Sequence, residues 1–416
     1  MTSDDGTTRE GLGARLLRYW GFACAVFVGL NLLAIPIREG RLLDDEPQLE
    51  PHVDAGLRAA YPELREPERR RLVWESFSRF EAEAIAQQRE SPRRGAYVNV
   101  SEHGFREVAD QGPWPPTATH YNVFFFGGST GFGYGVRDED TVASRLQQAL
   151  GSREGRPVRV YNFAHGGFNS VQERLALERL VALGYVPDSA VFLDGMNDFQ
   201  AGSQALLLTK AATRTLEKGL RAPLRSWFES LPAVRAIPPS FWGRESLFQG
   251  LGAAAPALSP AAKRRRYDDL KRHEAVIDAY LANQRATLAR TAGLGIEALF
   301  VWQPVPTYGY DLTQHAFQGN FGAHSYAGFG YPRMAQRVRG SGLRTGRSDG
   351  LGKHDPLDEP SELAETFVWC ADLQRGVAEP LYVDTVHYNP SLSKRVAGCI
   401  RDAIVDGVRP RPVVGR

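Results

Sequence analysis

The pattern of apolar and polar positions divides the chain into three stretches. From Tyr19 to Ile37 it reads YWGFACAVFVGLNLLAIPI, without a charge. As a helix rising 1.5 Å per residue this run spans roughly 28 Å, about the hydrocarbon thickness of a bilayer. It predicts a transmembrane anchor over 19–37 with a cytoplasmic N-terminus at 1–18. Arg9, Arg15 and Arg18 precede the run and Arg38 and Arg41 follow it, a small excess that favours the N-terminal side inside. No A-x-A site follows, which counts against a cleaved signal peptide. Residues 38–118 are rich in charge, Pro and Arg and read as a stalk or packing arm, helical over PERRRLVWESFSRFEAEAIAQQ (67–88).

Beyond residue 118 the period changes. The unbroken apolar run HYNVFFFGG (120–128) predicts a strand buried on both faces. A helix follows over 138–150, a strand over 158–164, a helix over 170–184 and a strand over 189–195. Strand and helix alternating at roughly 30-residue spacing predict a parallel sheet with right-handed crossovers. A long helix is expected over 266–293 and a strand over 296–306. A last unit holds LYVDTVHYNP and a closing helix. The aperiodic stretches 200–262 and 307–360 read as insertions, the second as a long loop, within a domain covering 119–408. The expected class is α/β, a three-layer sandwich on a central parallel sheet.

Composition changes this picture little. A chain of 416 residues accommodates one catalytic domain with insertions, and a net charge of +2 does not fit a nucleic-acid partner. Three cysteines make neither a disulfide framework nor a zinc site, and nine histidines include no HExxH, so no metal or cofactor is expected. Cys370 and Cys399 flank the DTVH segment, either as a pair or as two buried thiols; Cys24 lies in the apolar run.

The chemistry gathers at Ser129, where the apolar run stops in GGSTG. Glycines after a strand can cradle a phosphate, but the spacing is not GxGxxG and no Lys follows as in a P-loop. GGSTG also satisfies the G-x-S-x-G elbow formally, yet that fold places its serine in mid-domain. A third reading joins four places. Ser129, Gly167 in NFAHGGFNS and Asn197 in DGMNDF each follow one of three successive strands, and loops after parallel strands open on one sheet edge. Asp384 and His387 in YVDTVHYNP stand three residues apart, close enough for an acid to orient a base. Each alone has an ordinary structural role: a helix cap, a tight turn, a second cap, a surface histidine.

Together the four blocks resemble the SGNH (GDSL-type) hydrolase family. Ser129 matches its nucleophile, Gly167 its block-two glycine, Asn197 the asparagine of GxND, and Asp384 with His387 its DxxH. The resemblance covers about 120–200 and 380–405. Gly128 replaces the aspartate of GDS, and the separation of 187 positions from Asn197 to Asp384 exceeds the spacing of minimal members. The Asn99…Gly104-Phe105-Arg106 stretch and the anchor look like a membrane-tethered, export-associated branch of the family.

The resemblance implies a flavodoxin-like fold and an acyl-enzyme mechanism. Ser129 attacks an ester carbonyl, His387 takes its proton, and Asp384 orients His387. The N–H groups of Ser129 and Gly167 and the amide of Asn197 hold the oxyanion, a side chain at 167 being expected to crowd the acyl oxygen. His165, Trp302, Tyr308 and Tyr310 are candidates to line the pocket. The expected substrate is an O-acetyl group on an envelope or extracellular polysaccharide, with the domain outside the inner membrane and polysaccharide-assembly partners. An O-acetyltransferase uses the same site; a lipase or thioesterase is less favoured, since 307–331 advertises no apolar trough. A silent glycan-binding assembly protein gives no reason to keep all five residues.

Overall fold

The computed structural model describes residues 19–22, 25–29, 49–77, 80–83, 87–202, 258–341 and 365–406. Two compact units are present, one of Met1–Pro47 with Leu216–Gly250 and one of Gln48–Thr215 with Leu251–Arg416. In the first, the described residues 19–22 and 25–29 are helical, and Tyr19, Trp20 and Phe22 are exposed. Among the described residues no helix is long and apolar enough to cross a membrane. The rest of the predicted 19–37 span lies outside them, as does most of the 200–262 insertion.

In the second unit the chain runs through α1 (Pro51–Ala60), α2 (Glu66–Ser76), and a hairpin of β1 (Phe80–Glu83) and β2 (Gln87–Glu90). Then come β3 (Tyr121–Gly127), α3 (Ser129–Phe132), α4 (Val142–Leu150), β4 (Ser152–Arg153), β5 (Arg156–Asn162), α5 (Ser170–Ala182), β6 (Ser189–Asp194) and α6 (Met196–Ala201). After the insertion follow α7 (Pro260–Tyr267), α8 (Leu270–Ala292), β7 (Glu297–Trp302), α9 (Ser325–Ser341), β8 (Phe367–Trp369) and α10 (Pro390–Val405).

The sheet order is β4-β5-β3-β6-β7-β8, parallel except for the two-residue edge strand β4. The first strand of the sheet thus sits inside it, with its successors on either side, the doubly wound arrangement. Helices α4 and α10 pack together on one face; α5, α8 and α9 cover the other. The unbroken apolar runs are explained by this burial: every residue of β3 and β6 is buried. Phe126, Phe192 and Phe300 stand in register on three adjacent strands and stack at 5.1 and 5.2 Å. Trp302 and Trp369 continue the aromatic layer one step along.

Three expectations are corrected, and one strand is added. The helix predicted over 67–88 ends at Ser76, because the following FEAE alternates at period two and pairs with Gln87–Glu90, burying Glu90. The helix predicted over 266–293 is two, because the Asp269 side chain caps a new start by accepting the Arg272 N–H. Residues 307–360 are not one loop: α9 occupies 325–341 and buries Ala327, Tyr331, Met334 and Ala335 in the core. The fifth parallel strand, β8, was not anticipated. Cys370, directly after β8, forms a disulfide with Cys399 in α10.

The arm before residue 119 packs on the sheet domain rather than standing apart. The Tyr61 hydroxyl donates to Asp140 at 2.7 Å, and the Asn99 side-chain amide donates to Asp138 Oδ2 at 2.8 Å.

Candidate active site

β3 is apolar from Val123 to Phe126, and after Gly127 the chain turns at Gly128 into the four-residue helix α3, which Ser129 begins. A first helical residue has no intrahelical partner for its N–H, so that donor faces whatever sits beyond the helix start. The second loop is tied to the first: His165 N–H donates to Gly127 O at 2.9 Å, and the Asn162 amide donates to Gly131 O at 3.0 Å. It turns through Gly167, whose φ of +78° disfavours any other residue. A Cβ there would meet nothing within 4 Å, so backbone conformation rather than crowding by the protein accounts for this glycine.

The third loop begins at Gly195 (φ +117°) and leads into α6. Asp198 braces it, accepting from Gly195 N–H at 3.2 Å and from the Ser170 hydroxyl at 2.7 Å. Asn197 directs its amide Nδ2 to Phe168 O at 2.7 Å, which places the side chain between the second loop and the nucleophile. The fourth segment folds back on itself. Val383 N–H donates to His387 O and Asn389 N–H to Leu381 O, both at 2.9 Å, leaving Asp384 and His387 on a tight loop. Asn389 then caps α10.

These loops converge. His387 Nε2 lies 2.8 Å from Ser129 Oγ, and His387 Nδ1 lies 2.6 Å from Asp384 Oδ2. Asp384 Oδ1 accepts the N–H groups of Val386 and His387, each at 2.9 Å. Burial alone would raise the Asp384 carboxyl, but the His387 charge and these hydrogen bonds bring it down to about 2. An ionised acid, an oriented imidazole and a hydroxyl form a continuous relay suited to generating a serine nucleophile.

No family model matches the chain, and no curated protein matches it. The chain is similar to solved structures whose names describe GDSL-type proteins and an esterase. One is a G-D-S-L family lipolytic protein from Desulfitobacterium hafniense DCB-2, at 9% identity and TM-score 0.33, covering 68% of this chain and 98% of that one. Another is a psychrotrophic esterase from Pseudoalteromonas sp., at 12% and 0.30, covering 69% and 98%. A third is a GDSL-like lipase from Parabacteroides merdae, at 10% and 0.29, covering 68% and 94%. Likeness this distant leaves the weight on the geometry of the site.

The GDSL-type pattern has an aspartate where this chain has Gly128. A Cβ built at 128 would stand 2.1 Å from Asn197 Nδ2, so any other residue there would displace that amide from its present place. Of the candidate pocket residues, only His165 lies beside the site, stacked on Phe168 at 4.3 Å. Trp302 is core, Tyr308 packs against Trp369 and Tyr331, and Tyr310 donates to Glu379 O.

The structure adds residues that the motifs do not contain. Gln303, just past β7 on the same edge, accepts from Thr130 at 2.5 Å and from Tyr388 at 3.0 Å, joining the neighbours of Ser129 and His387. The Tyr134 ring lies 4.9 Å from the His387 ring. His324, half-buried ahead of α9, is held at a pKa of about 4 by burial and by His387, against the pull of Asp384. Beneath the third loop, burial raises the Glu173 and Asp194 carboxyls, and the neighbouring acids raise them further. Asp194 accepts the Tyr280 hydroxyl at 3.0 Å, which offsets part of the rise at Asp194 but none of it at Glu173.

Proposed function

We propose that the protein is a serine ester hydrolase of SGNH type that works through an acyl-enzyme. The observation that carries this reading is the relay from Asp384 through His387 to Ser129, with both contacts within hydrogen-bond distance. His387 takes the Ser129 proton as Oγ attacks the ester carbonyl, then gives it to the leaving alcohol; water enters by the reverse sequence. The N–H groups of Ser129 and Gly167 and the Asn197 amide receive the oxyanion.

An O-acetyl group on an envelope or extracellular polysaccharide is the proposed substrate. An acyl group this small needs no trough. The uncharged run 19–37 supports a membrane anchor with the catalytic unit outside the cytoplasm. The Cys370–Cys399 disulfide fits the same oxidising side. The test is acetate release from acetylated polysaccharides, with a fluorophosphonate probe as a second readout. Release and labelling that both vanish in Ser129→Ala support the reading. An unlabelled parent, or release that survives in the variant, overturns it.

A further inference from the structure

Arg106 is fully buried, yet the reaction as written does not use it. Its backbone N–H donates to Asn162 O at the end of β5, at 2.9 Å. Its guanidinium faces the segment that follows the nucleophile. Nη1 donates to Phe132 O at 2.9 Å and also to Gly133 O, Nη2 donates to Val136 O at 2.7 Å, and Nε donates to Asp138 Oδ1 at 2.9 Å. The guanidinium carbon stands 5.1 Å from the centre of the Phe132 ring.

The carbonyls it binds belong to one turn of chain. A helix of four residues leaves its last carbonyls without helical partners, and a planar five-donor fork reaches several of them from a single point. Within the same turn, the N–H groups of Gly133 and Tyr134 both return to Ser129 O, at 2.9 and 3.2 Å. Ser129 and Tyr134 are therefore two ends of one clamped unit. The first bonds the imidazole of His387; the second lays its ring against it.

We propose that Arg106 is a positioning residue for acyl transfer, holding the 129–136 turn so that Tyr134 sets the His387 ring in line with Ser129 Oγ. This rests on the serine-hydrolase reading above. A lysine at 106 keeps the charge opposite Asp138 but cannot span three carbonyls, so charge and geometry separate in one substitution.

The experiment compares the full chain with Arg106→Lys, Arg106→Gln and Tyr134→Leu. Tm, kcat, KM and the rate of fluorophosphonate labelling are measured on each. Positioning predicts a folded Arg106→Lys whose kcat falls roughly 10- to 100-fold. KM should stay within about twofold, since ground-state binding is untouched. The labelling rate should fall by the same factor as kcat. Tyr134→Leu, with the clamp intact, should lose kcat at the parental Tm. A folded Arg106→Lys or Tyr134→Leu with parental kcat overturns the proposal. If neither Arg106 variant folds, Tyr134→Leu decides alone by the same criterion. A parent that shows neither hydrolysis nor labelling overturns the serine-hydrolase reading and the positioning role together. Unchanged variants of an active parent overturn only the positioning role.

Discussion

The Asp384 carboxylate reaches His387 twice: Oδ2 meets the ring Nδ1 at 2.6 Å, and Oδ1 takes the same residue's backbone N–H at 2.9 Å. One acid thus fixes both the ring and the chain that carries it. Asp384→Asn should lower kcat by about 10⁴-fold with little change in KM, as expected when the base loses its orienting charge. Steady-state kinetics on an activated acetyl ester measures this.

The same carboxylate should leave a mark on stability. Its folded pKa of about 2 lies below the ordinary carboxylate value, so the folded state binds its proton less readily than the unfolded state. The contribution is fully present above about pH 4, is lost as pH falls through 2, and amounts to about 2 kcal/mol. Urea midpoints for the parent and Asp384→Asn should converge over that window. A constant difference down to pH 2 would contradict the assignment.

Asn197 and Gly128 should behave as a pair. Asn197→Ala removes the proposed oxyanion donor and should lower kcat roughly 10²–10³-fold. Gly128→Asp restores the GDS sequence but puts a Cβ where the Asn197 amide lies, 2.1 Å away. It should therefore reduce kcat rather than improve it, with the fold intact by circular dichroism. Combining both substitutions should add less than the product of the two effects, because each disables the same donor.

Glu173 predicts the opposite pH trend. A buried carboxyl whose folded pKa is raised keeps its proton after the unfolded chain has lost it, so stability falls as pH rises above about 4.3. Glu173→Gln holds the neutral form at every pH. Its Tm relative to the parent should climb as pH rises above about 5; a flat difference would place the proton elsewhere.

The Cys370–Cys399 bridge closes a separation of 29 residues. Removing it by Cys399→Ser should cost about 3 kcal/mol of stability. Calorimetry with and without reductant separates the parent from the variant: only the parent should lose Tm on reduction.

Legibility in the sequence followed how local each signal was. Ser129, Asn197, Asp384 and His387 were readable because the chain places each at a strand end or in a short motif, and parallel topology does the rest. Gln303 and Tyr134 were not, because what qualifies them is proximity to His387 across the fold. The helix at 325–341 carries an apolar stripe at 327, 331, 334 and 335, but three glycines and Pro332 mask it; packing against α6 and α8 overrides their poor propensity. The hairpin after Ser76 shows the reverse error, in which charged and alanine-rich residues read as helix while their period-two alternation pairs them as strands.

Tyr61 and Phe77 belong to the arm, yet one bonds Asp140 and the other sets its ring 5.2 Å from that of Tyr134 at a tilt of 56°, one ring away from His387. The practical boundary of the enzyme consequently falls ahead of Pro51. A soluble fragment cut at residue 119 to isolate the sheet would strip the brace from behind the base, whereas one beginning near residue 49 retains it.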